Sequence, residues 1–230
     1  MDRSCRIVIG ETCADVTADV LSEEAAEEAV ARARREIEAK IASDPFFGET
    51  YSPYDPSDAD GDVVRRMCEA SRRAGVGPMA AVAGAVARCV AEAMLVLGAS
   101  HVVVDNGGDI AVSTGRRVAV GVGTGDGGVP PFAIAIGPTD GVVGVCSSSA
   151  KVGHSVSLGA SDVCTVVAEG PELADACATA LGNMVRSAAD LGPAAEAVCA
   201  VPGVIGCVAV AGGSVSVCGD VEIVPLRNTE

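Results

Sequence analysis

Tryptophan is absent from this chain, and Phe and Tyr together make up only 2% of its 230 residues. Any core must therefore be built from aliphatic and small side chains, which let the backbones of neighbouring elements approach closely. Hydrophobic residues still reach 49%, ample for a core at this length. Positive charge is also scarce. Sixteen Lys and Arg stand against 31 Asp and Glu, a net charge of −15 with a pI near 4.4. That balance excludes a nucleic-acid partner, because phosphate backbones are held by clustered Lys and Arg. Arg32, Arg34 and Arg35 form no such cluster; they alternate with glutamates and read as solvated helix partners. The acidity reads as an aid to solubility. None of the ten cysteines lies in a C-x-x-C pair and only two histidines accompany them, so a zinc or iron–sulfur centre has little support. The opening MDRSCR has no apolar targeting region, which predicts a cytoplasmic chain with reduced thiols, most of them small core hydrophobes. Ala197 to Gly219 runs without a charge, but its glycines and Pro202 predict a buried hairpin and no membrane span.

What is present alternates between strands and small-residue helices. CRIVIGETCADVTAD predicts a hairpin broken between Gly10 and Thr12, and Ser22 followed by two glutamates predicts a capped helix to about Ala42. Between Asp44 and Asp62 lies a loop carrying Phe46, Phe47, Tyr51 and Tyr54, which either covers a pocket or packs onto the body. A helix from Val63 to Ala74 follows. Gly75 to Leu97 then reads as a central helix, rich in alanine and glycine, with Pro78 in its first turn. Strands are predicted near 110–113, 118–123, 132–137, 163–168 and 221–224, with a helix from Pro171 to Ala189 and a short helix before the carboxy-terminal hairpin. This order implies an α+β fold in which mixed β-sheets pack against long small-residue helices. The chain reads as one domain over 1–230. Both its halves, about 1–125 and 126–230, contain a strand, a Gly-rich turn and a long small-residue helix.

The most informative run is HVVVDNGGDI, from His101 to Ile110. A β-branched strand enters a turn rich in amides and carboxylates, a build shared by ligand-binding loops and by plain tight turns. Three other patches accompany it. Gly77 opens the central helix, Ser147, Ser148 and Ser149 lie in the Ser-rich segment from Cys146 to Gly159, and Asp175 and Thr179 project from one face of a helix, one turn apart. A carboxylate and a hydroxyl in that relation suit magnesium, which also takes carbonyls, waters and phosphate oxygens. Lys151, one of two lysines, reads either as an exposed loop cation or as the charge that neutralises a bound phosphate.

In chain order, the stretches GVGPMAAVAGAVA, VVVDNGGDI, CSSSAKVGHSVSLGASD and LADACATALGN resemble the ApbE family of flavin transferases, and more closely its short branch in archaea and bacteria. The resemblance implies an ApbE-like fold and Mg-dependent cleavage of FAD, with FMN passed to a Ser or Thr of an acceptor protein. It implies Asp175 and Thr179 as magnesium ligands, and Asn106, Gly107, Gly108 and Asp109 as part of a site for FAD, FMN or another small anionic nucleotide. The chain departs from the transferases in carrying Ala83 where they have a lysine. It also reads GHSVSLG where they have a longer histidine motif, so that His154 takes the histidine's place as general base. Two other readings stay open at this point: a non-catalytic flavin or nucleotide binder, and a role in sulfur assimilation toward homocysteine through a thiol such as Cys146. Homo-oligomers remain open as well.

Overall fold

The computed structural model describes residues 1–124, 128–149 and 160–226. β1 (Arg3–Ile9) and β2 (Thr12–Ala18) form the expected hairpin, and α1 (Glu23–Ser43) starts where Ser22 Oγ accepts the Ala25 N–H at 3.3 Å. Arg34 pairs with Glu38 one turn on, as its spacing predicts. The aromatic loop holds a short helix that its hydrophobic pattern hides, α2 (Pro45–Glu49), started by the Asp44 carboxylate accepting from Phe46 N–H at 3.2 Å. The reading that these aromatics pack onto the body holds for two of them. Phe47 is fully buried edge-on against Tyr54, and Lys40 reaches over both rings to Asp60 at 3.1 Å, while Phe46 and Tyr51 stay exposed.

α3 (Asp62–Ala74) is followed by a single 3₁₀ turn at Pro78–Ala81 and then α4 (Val82–Val96). Pro78–Val96 is long and apolar enough to cross a bilayer, yet half of its apolar window is buried inside this fold, against α1, α5, β3 and β4. The remaining elements are β3 (His101–Asn106), β4 (Asp109–Thr114), β5 (Val118–Val122), β6 (Phe132–Ile136), β7 (Val143–Ser148), β8 (Val163–Ala168), α5 (Pro171–Met184), α6 (Leu191–Cys199), β9 (Val204–Ala211), β10 (Ser214–Gly219) and β11 (Glu222–Pro225). Ala197 to Gly219, charge-free, is thus the end of α6 and a tight β9–β10 hairpin.

Among the described residues the strands form two sheets, an eight-stranded one in the order β1-β2-β3-β4-β7-β8-β9-β10 and a three-stranded one in the order β11-β6-β5. The α+β class holds, but the described ladders are antiparallel and not mixed. The β8–β9 link shows why. It carries two helices and returns the chain to the end of the sheet it left, pairing Ala168 with Val204, whereas a lone crossover helix would deliver a parallel strand.

The molecule has three layers: helices, large sheet, small sheet. Strand alternation sorts side chains between two cores. On β8 and β9, Cys164, Val166, Cys207 and Ala209 face the helices, whereas Val163, Val167, Val208 and Val210 face β5 and β6. Cys68, Cys89, Cys146, Cys164, Cys177 and Cys207 are buried, as small core residues should be.

Candidate functional site

The first turn of α5 is wedged into the body at two glycines. A Cβ on Gly84 would lie 2.3 Å from the Pro171 carbonyl oxygen, and one on Gly144 would lie 2.5 Å from Pro171 Cα. Only glycine permits that approach, and it brings Asp175, one turn into α5, against the start of α4. The Gly84 N–H donates to Asp175 Oδ2 at 2.9 Å.

The glycine turn arrives from the sheet side. Asn106 and Asp109 face each other across Gly107 and Gly108, and Asn106 Nδ2 donates to the Ala83 carbonyl at 3.1 Å. The turn is therefore fixed one residue from the amide that holds Asp175. Gly107 and Gly108 adopt φ of +71° and +97°, and a Cβ on either would meet nothing within 4 Å. Backbone conformation, not crowding, explains these two glycines. The Gly108 N–H is taken by Asp105 Oδ1 at 2.8 Å.

Asp109 pairs in register with Cys146 on β7, so both point toward the helices, where Asp175 lies. The Cys146 thiol donates to the Pro171 carbonyl at 3.4 Å. Segments from all four patches thus meet at the amino-terminal end of α5.

Burial dominates the electrostatics of this cluster. It lifts the Asp109 carboxyl to about 7, with the nearby Asp105 charge adding to the rise. It lifts Asp175 well above the carboxylate range, with the Asp109 charge adding and the amides of Gly84 and Ala83 opposing. Among the described residues no Lys or Arg pairs with either carboxylate, and Asp109 Oδ1 is buried without a hydrogen-bond partner. Guanidinium groups on the neighbouring helices are engaged elsewhere: Arg88 holds the buried Glu172 at 3.2 Å, and both Arg88 and Arg66 hold Glu92. A buried carboxylate, Asp175, beside a half-buried one, Asp109, with an orphan buried oxygen and no counter-charge fits a hard cation. No group of three or more His, Cys, Asp or Glu side chains among the described residues is arranged for a metal, so further ligands would come from carbonyls, the Thr179 hydroxyl or a bound anion. Thr179 is half-buried, one turn beyond Asp175.

Other expected site residues fall elsewhere. The segment from Cys146 to Ser148 is strand and not loop, so its side chains alternate: Ser147 bonds Thr165 Oγ1 at 2.8 Å on the far face of the sheet, away from the carboxylates. Ser148 Oγ is buried without a partner on the helix side, and Ser149 donates to the Asp162 carbonyl at 2.8 Å. Gly77 is held small by the aromatic loop, since a Cβ there would sit 1.9 Å from the Thr50 carbonyl oxygen. Lys151 and His154 lie outside the described residues. A sulfur-handling Cys146 is not supported by its described surroundings. It is fully buried, and burial together with Asp109 and Asp175 pushes its thiol far from the thiolate that such chemistry needs. The atoms that sequence reading missed are main-chain ones, the Ala83 carbonyl and the Gly84 N–H, which no side-chain pattern advertises.

The family model described as AbpE bacteria matches residues 2–201. A UPF0280 protein of Methanocella arvoryzae is 43% identical over 220 residues, spanning 95% of this chain and 89% of that protein. One from Methanothrix thermoacetophila is 45% identical over 205 residues, spanning 89% and 85%. Among solved structures, the flavin transferase ApbE from Vibrio cholerae superposes with a TM-score of 0.62 at 12% identity, covering 96% of this chain and 97% of that one. The apo form of the flavinyl transferase ApbE of Pseudomonas stutzeri gives 0.57 at 12% identity, covering 94% and 93%. At such identity the likeness is one of fold.

Proposed function

This chain belongs to the AbpE bacteria family, and on that premise we propose that its carboxylate cluster binds a flavin nucleotide through magnesium and transfers FMN from FAD to a Ser or Thr of an acceptor protein in the cytoplasm. The observation that carries this reading is the meeting of the buried Asp175 with the half-buried Asp109, whose Oδ1 has no partner, beside the Asn106 to Asp109 turn and without a basic partner among the described residues. A cation bound there would offset the two carboxylates and the charge that develops on a breaking pyrophosphate. The chain's own groups keep the place ready. Gly84 N–H aims Asp175, Asn106 ties the turn to α4, and Thr179 offers a hydroxyl on the same helix face. In the transfer, the acceptor hydroxyl oxygen forms a phosphoester bond to the FMN phosphorus, the anhydride bond breaks and AMP leaves. The hydroxyl proton passes to a base, for which His154 is our candidate, with Lys151 beside the phosphates. A second reading, nucleotide binding without turnover, is favoured by Ala83, which leaves α4 without the lysine that the resemblance leads one to expect.

Incubating the protein with FAD and magnesium and assaying AMP separates these readings. Release by the wild type, abolished by EDTA and reduced at least ~100-fold in Asp175→Asn, is the expected result. Saturable, magnesium-dependent quenching of flavin fluorescence without AMP would establish the binder. No flavin affinity with or without magnesium would sink both.

A further inference from the structure

β10 ends the large sheet, and among the described residues nothing pairs with its outer side. Natural sheets protect such edges with charge, proline, bulges or short strands. The opposite edge follows the rule: β1 carries Arg3 and Arg6, the latter locked to Asp15. β10 does not. Its six residues, SVSVCG, contain no charge and no proline, and Val215 and Val217 stand 45% and 46% exposed on the face that the small sheet leaves uncovered.

The register fixes which main-chain groups are free. Gly212 and Gly213, both at positive φ, make a two-residue turn, so Ala211 and Ser214 form a hydrogen-bonded pair and such pairs recur at Ser216 and Cys218. The N–H and C=O groups of Val215 and Val217 therefore point outward, away from β9. These groups are self-complementary: when two β10 strands run antiparallel about a two-fold axis at Ser216, Val215 of each meets Val217 of the other. The valines also meet on one face of the seam.

Charge selects the occupant. A chain of net charge −15 repels its own copy over most of its surface, whereas this edge has no charge to oppose the approach. We propose that β10 is a homodimerisation edge, joining the large sheets of two copies through Val215 and Val217 into one continuous sheet.

Sedimentation of the full chain across micromolar to submillimolar concentrations tests this, with the mass expected to rise to twice the 22.7 kDa of one copy. Val217→Pro removes an outward donor without touching the β9 ladder, and Val215→Lys leaves every donor but adds an edge charge. Both should sediment as monomers with unchanged far-UV circular dichroism, while Val217→Thr, which keeps donor and shape, should still dimerise. Hydrogen exchange at Val215 and Val217 should slow in the dimer and speed up on dilution. A wild type that stays monomeric throughout the range overturns the proposal, as does a dimer that survives both edge variants. A dimer broken only by Ala119→Lys, on the outer face of the small sheet, would overturn it too.

Discussion

A carboxyl group that burial lifts to about 7 reverses the usual pH dependence of folding. In the unfolded chain Asp109 titrates near the ordinary aspartate value of 3.8, while in the folded protein it holds its proton to about 7. Its stabilising contribution is complete below about pH 4 and is lost as pH rises through 7, because over that window the unfolded state sheds a proton that the folded state keeps. Asp175 acts in the same direction. We therefore expect the metal-free protein to lose stability in urea between pH 4 and 7. Asp109→Asn should remove much of the slope and the double variant with Asp175→Asn should flatten it; equal slopes in wild type and Asp109→Asn would contradict the assignment. The turn and the one-face spacing of Asp175 and Thr179 were legible in the sequence, because both follow from local rules. The amide that holds Asp175 was not, since Gly84 lies 91 residues away and its contribution is main-chain.

Elements whose stability is local were the easiest to read. Ser22 caps α1 by its own hydroxyl, and the first hairpin breaks at Gly10 because the turn needs φ of +59°. β7 was obscured because Gly144 and its serines are poor strand formers on their own; burial on both faces between β4 and β8 overrides that preference. Gly144 is there to admit α5, as Gly84 is from the other side, so the helix's position depends on two missing side chains. Gly84→Ala should accordingly destabilise the protein by about 1–3 kcal/mol, because the atom it strikes is a main-chain carbonyl that cannot rotate aside. Gly192→Ala makes the control. It lies in α6 with nothing within 4 Å of an added Cβ and no positive φ, so the change should be neutral or stabilising by up to ~1 kcal/mol. Chemical denaturation of both variants measures the contrast, and a Gly84→Ala protein as stable as Gly192→Ala would mean that α5 is not wedged as described.

The large sheet and its helices repeat one succession, strand, strand, helices, strand, strand, first as β1 to β4 and again as β7 to β10, and the two runs join at β4 and β7. The shared core lies beneath this joint, beside the two carboxylates, and most of the surplus negative charge is on the surface. Two effects of salt then oppose each other. Exposed pairs such as Arg6–Asp15 and Arg35–Glu28 contribute little and weaken with screening. Repulsion among 15 unbalanced charges extends over the whole surface and is relieved once the Debye length falls to about 10 Å or less, near 0.1 M salt. The Arg88–Glu172 pair, largely out of water, changes little. Relief of repulsion should win, so the Tm from scanning calorimetry should rise with sodium chloride up to ~0.5 M; a fall would mean that the surface pairs carry more stability than their exposure allows. Magnesium chloride at matched ionic strength should raise Tm further through binding at the carboxylates. That excess, and not the sodium effect, should vanish in Asp175→Asn.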